Sequence, residues 1–124
     1  EVGHSLEEPY GYEIYADGNL EAEFLRKRRE LRNILWDHGY KTQVNFFLNM
    51  EYDVEFDNFL LNTVGYDKLA LLMQGMFISP YAATSLREYF ASGFTEFFMH
   101  SDHNLLMNIS PVLYKKIKNL YIQD

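Results

Sequence analysis

Residues 79–99 read Ser-Pro-Tyr-Ala-Ala-Thr-Ser-Leu-Arg-Glu-Tyr-Phe-Ala-Ser-Gly-Phe-Thr-Glu-Phe-Phe-Met. Ser79, Pro80 and Tyr81 have the composition of a loop. Thr84 is placed to cap a helix that runs to about Phe98. Within it Leu86, Tyr89, Phe90, Phe94, Phe97 and Phe98 recur every three or four residues, the spacing that puts them on one helical face. An aromatic face of that size is hidden only by other helices packed around it, so the stretch predicts a mainly α fold with this helix near its centre.

The flanking sequence agrees. Leu20, Phe24, Leu31, Ile34 and Leu35 predict a helix from about Leu20 to His38, closed by Gly39. Arg26 to Arg29 make a basic run on it, interleaved with Glu23 and Glu30, and the composition points to a solvated face. A helix is expected from Tyr66 or Asp67 to about Gln74. A short one is capped by Ser101 or Asp102. The last opens at Ser110-Pro111, with Val112, Leu113, Ile117, Leu120 and Tyr121 as its buried stripe. Residues 42–57 stay open. Tyr52, Val54 and Phe56 alternate with Glu51, Asp53, Glu55 and Asp57 as in a strand, which allows one small β-hairpin, but the second half can equally open a helix through Phe59, Leu60 and Leu61.

Length and composition bound the function. At 124 residues the chain holds one domain, spanning 1–124, and 48% of it is hydrophobic, with ten Phe and ten Tyr to build a core. There is no cysteine, so disulfides and thiolate metal sites are excluded. A net charge of −7 argues against a nucleic-acid partner. No apolar run is long enough for a membrane span, and no signal peptide is visible at the start. The compartment stays open. The alternating carboxylates of 51–57 lack the order of a calcium loop.

The chemistry lies in two segments. The chain opens Glu1-Val2-Gly3-His4. This matches the last four residues of a His-Glu-x-x-His helix, in which two histidines one turn apart bind zinc and the Glu activates water. Alone, Glu-x-x-His is a weak signal. The second segment is Tyr81 followed by Glu88-Tyr89-Phe90-Ala91 and Phe94, and then by Met99-His100-Ser101-Asp102-His103. Together these resemble the end of the catalytic domain of the anthrax lethal factor-like zinc metallopeptidases, over residues 1–4 and about 78–124. The resemblance implies a zincin-like (gluzincin) helical subdomain in which residues 20–63 are an insertion. It implies a zinc cofactor held by His4 and Glu88, with Glu1 as general base and Tyr81 supporting the oxyanion or the leaving group. The first zinc histidine would stand immediately before Glu1, so the chain is expected to be a fragment that is inactive by itself. Where the family often has a second Glu one turn after the ligand Glu, this chain has Ser92.

The function this implies is a zinc-dependent endopeptidase acting on a protein or peptide substrate. The alternative is a non-catalytic protein-binding module of the same fold, and a helical scaffold segment is a third reading. Considered singly, Tyr81 is a loop tyrosine and Glu88 a helix carboxylate; only their joint pattern points to a site. His38 reads as a partner of a helix C-terminus. His100 and His103 read as residues of a capping turn.

Overall fold

The structure is a computed structural model that describes residues 14–123. Among the described residues these α-helices follow one another: α1 (Asn19–Asp37), α2 (Val44–Leu48), α3 (Val54–Asn58), α4 (Tyr66–Leu72), α5 (Leu86–Met99), α6 (Asn104–Ile109) and α7 (Pro111–Gln123). A wide-turned π-helical stretch, Phe59–Gly65, joins α3 to α4, and a 3₁₀ turn, Pro80–Ala83, precedes α5. Among the described residues there is no strand and no helix long and apolar enough to cross a membrane.

The centre is formed by α1, α5 and α7, which contact one another pairwise. Phe24 of α1 packs on Tyr89 of α5 with ring centroids 5.3 Å apart, and Leu113, Ile117 and Leu120 of α7 complete the core. The expected aromatic face of α5 is buried at Tyr89, Phe90, Phe94 and Phe97, but Phe98 is exposed, as is Tyr121 on α7. The cap of α5 is Ser85, whose Oγ accepts the Glu88 N–H (3.1 Å), and not Thr84. Thr84 closes the preceding turn, its hydroxyl donating to the Tyr81 carbonyl (2.8 Å).

Residues 42–57 form no hairpin. The alternating residues Tyr52 and Val54 are 60% and 58% exposed, so a two-residue period hides nothing there. Phe56, Leu60 and Val64 are all buried, and their four-residue spacing is that of a helix. Burial selects that period. Asp53 starts the helix by accepting the Glu55 N–H at 2.9 Å, and Phe56 meets Phe47 of α2 edge to face at 5.0 Å. The run ends at Gly65, whose φ of +90° is open to glycine and strained for other residues.

The basic run on α1 is only half solvated. Arg26 and Arg29 face out, whereas Glu23, Lys27 and Arg28 are buried. The reason is the same stripe that buries Leu20, Phe24, Leu31 and Leu35: positions 23, 27 and 28 fall on it, and each is matched by polar groups of other elements. Glu23 accepts the Tyr89 hydroxyl (2.7 Å) and the N–H groups of Val112 (2.8 Å) and Leu113 (3.3 Å). It therefore satisfies otherwise orphaned donors in the first turn of α7 and places a negative charge at that helix's positive end. The Lys27 ammonium donates to the carbonyls of Met76 (2.6 Å) and Ile109 (2.5 Å) and to Ser110 Oγ (2.8 Å). Burial pushes it down to about 8.

Helices α5 and α7 cross where α5 has no side chain. A Cβ on Gly93 would lie 2.3 Å from Cδ2 of Leu113, itself 1% exposed. Gly93→Ala gains roughly 1 kcal/mol of helix propensity, but it overpacks the buried Leu113 side chain, at a cost of about 1–3 kcal/mol or more. Net destabilisation is expected, read as a lowered urea midpoint. A raised midpoint would show that Leu113 swings aside.

Candidate functional site

Of the residues matched to zinc chemistry, Tyr81 lies in a short turn and Glu88 in the helix that follows it. Pro80–Ala83 forms the 3₁₀ turn, in which Tyr81 is 49% exposed. Ser85 then caps α5, and Glu88 falls in the first helical turn, only 9% exposed. This connection is fastened from below by Arg28. Its guanidinium donates to the carbonyls of Ala83 (2.7 Å) and Thr84 (3.0 Å), and also to those of Phe47 (2.9 Å) and Asn49 (3.1 Å). One side chain thus ties the Tyr81–Glu88 connection to the chain leaving α2. Beside it, the Leu86 N–H donates to the Met50 carbonyl (2.8 Å).

Glu88 lines a cavity of about 570 Å³ together with Met50, Glu51, Tyr52, Ser85 and Arg87. Tyr81 lines a different one of about 370 Å³, whose walls include Ser92, Thr95 and Glu96 of α5 and His100 just after it. The two residues are therefore close along the chain but open into separate depressions. Ser92, at the position where the resembling family often has a second Glu, belongs to the Tyr81 side. Glu1 and His4 lie outside the described residues. Among the described residues, no three His, Asp or Glu side chains gather closely enough to hold a metal ion.

The described histidines, His38, His100 and His103, take the roles of ordinary polar residues. Nδ1 of His38 is 2.8 Å from the Ile34 carbonyl at the end of α1. His103 stacks on Phe97 with centroids 4.1 Å apart, and its Nε2 is 2.8 Å from the Phe97 carbonyl. His100 has Nε2 3.6 Å from Glu96 Oε2.

Tyr66 is a neighbour that the sequence pattern did not single out. Its hydroxyl donates to Asp57 Oδ1 (2.9 Å). Burial first, and then Asp57, hold this phenol well above the usual tyrosine range, with smaller contributions from Tyr81 and Tyr52. Three phenols thus share one electrostatic neighbourhood beside the candidate site. The available signal was Gly65, which turns the chain so that Tyr66 begins α4.

Comparison of the chain with protein-family models, with curated proteins and with solved structures finds no match.

Proposed function

We propose that this chain is part of a zinc-dependent endopeptidase. The observation that carries the reading is Glu88: a carboxylate 9% exposed, in the first turn of a capped helix, on the wall of a cavity. Zinc takes imidazole and carboxylate ligands and keeps one position open, and a largely buried carboxylate on a cavity wall is a donor of that kind. His4 and Glu88 would hold the metal, together with a histidine preceding Glu1. Zinc at such a site supplies Lewis-acid polarisation of a carbonyl and of water. Glu1 would take the proton from the attacking water and deliver it to the leaving amine. Tyr81 donates a hydrogen bond to the oxygen on which negative charge develops. Arg28 ties the backbone between Tyr81 and Glu88 to the chain leaving α2, which supports the reading because catalysis needs positioned groups.

The separation of Tyr81 and Glu88 into two cavities favours the second reading, a protein-binding module of the same architecture without catalysis. Calorimetric zinc titration distinguishes the two. A chain extended upstream by a helical segment ending in His before Glu1 is expected to bind one zinc ion. Glu88→Gln in that protein is expected to weaken binding on the order of a hundredfold or more, since it removes an anionic ligand. An extended chain that folds but binds no zinc leaves the binding module as the function.

A further inference from the structure

We propose that the outward face of α1 around Trp36 is a docking surface for a short acidic peptide segment of a partner protein. This surface is independent of the zinc reading. Trp36 is the single tryptophan of the chain and is 42% exposed. Two cations attend its ring: Cζ of Arg32 lies 5.0 Å from the ring centroid and Nζ of Lys41 5.5 Å. Exposed Arg29 stands seven residues before Trp36, two helical turns back and so on the same side.

Among the described residues none of these three cations has a carboxylate partner. The ion pairs seen among the described residues join Arg26 to Glu30, His100 to Glu96 and Lys116 to Asp17. Asp37 follows Trp36 but points about 100° further around the helix. Arg32 gives one N–H to the Thr42 carbonyl (2.7 Å), while its Nε and Thr42 Oγ1 are buried without a hydrogen-bond partner. Lys68 of α4 donates to the hydroxyl of Tyr40, the residue before Lys41 (2.8 Å). On a chain of net charge −7, a tryptophan flanked by two cations with no carboxylate partner among the described residues is a local reversal of sign.

Charge complementarity selects the occupant. Carboxylates pair well with a guanidinium fork. Tryptophan and arginine are the side chains that most often anchor protein interfaces, the indole taking an apolar side chain. A long polyanion or an anionic membrane would meet the field of the whole acidic chain, which repels it. A short segment with two or three carboxylates around one apolar residue meets only the patch.

Because Trp36 is the single tryptophan, its fluorescence reads this surface directly. The probe is a blocked seven-residue peptide of Asp and Glu around one Leu, titrated into the intact chain. The expected result is a saturable change in emission, absent with the Asn/Gln version of the peptide and reduced by salt. The double variant Arg29→Gln, Lys41→Gln changes only exposed groups, so circular dichroism and melting should be unaltered. Its affinity for the acidic peptide is expected to fall at least about tenfold. The proposal is overturned by a flat titration, or by undiminished binding in the folded double variant. It is also overturned if anionic vesicles or a single-stranded oligonucleotide change Trp36 emission at lower concentration than the peptide. An emission change that depends on protein concentration alone would assign the face to a second copy of the chain instead.

Discussion

Arg28→Met is expected to lower the unfolding free energy by about 3–5 kcal/mol, because it strips the donor from several buried carbonyls at once. Arg28 is fully buried and donates to four backbone carbonyls contributed by Phe47, Asn49, Ala83 and Thr84. Its guanidinium also lies over the rings of Phe56 (4.2 Å) and Phe24 (4.7 Å). Methionine fills similar space and removes the charge, but it cannot donate to those carbonyls. A buried carbonyl deprived of its donor costs about 1–3 kcal/mol. Part of this is offset because the guanidinium no longer has to be desolvated. Urea denaturation monitored by circular dichroism measures the difference. A loss below about 1 kcal/mol would show that the carbonyls find water or new donors, and that Arg28 is not the tie between α1, the end of α2 and the start of α5. Arg28→Lys should recover only part of the loss, since one ammonium cannot reproduce a planar fork reaching four acceptors.

Tyr81→Phe, made in the chain extended by the upstream histidine, is expected to slow peptide turnover by about 10²–10³-fold while leaving zinc affinity unchanged. That magnitude is typical for removal of one donor to a developing oxyanion. The split follows from the proposed roles: the phenol acts on the transition state, whereas Glu88 acts on the metal. Tyr81 is half exposed and phenylalanine keeps its ring, so the fold should tolerate the loss of a hydroxyl. Turnover and zinc titration on the same preparation test it. Equal turnover in the two proteins would return Tyr81 to the status of a loop residue. Loss of zinc binding together with turnover would mean that the hydroxyl shapes the metal site.

The candidate site was legible to the extent that it is local. Tyr81, Ser85 and Glu88 lie within eight consecutive residues, and the order of turn, cap and helix is written in their types. Even there Ser85 and not Thr84 became the cap, a choice between adjacent hydroxyl residues that depends on where the chain becomes extended. Tyr66 and Arg28 were not legible as parts of this neighbourhood. Arg28 meets Ala83 across 55 residues of sequence, and no periodicity connects positions that far apart.

The sequence alone determined that the protein is helical and which stripes of α1, α5 and α7 are apolar, because burial demands a 3.6-residue period that Leu20, Phe24 and Leu31, or Tyr89, Phe90 and Phe94, display directly. It left residues 42–57 undecided, because a seven-residue alternation fits a strand while Phe56, Leu60 and Val64 fit a helix. Only packing against Phe47 selected the second. The tertiary structure alone decided the fate of the charges on α1. A run of cations is indistinguishable in sequence from a solvated face. Whether Lys27 and Arg28 are buried while Arg26 and Arg29 stay in water depends on which distant carbonyls come to meet them. Desolvating a cation is too costly unless those acceptors are already in place.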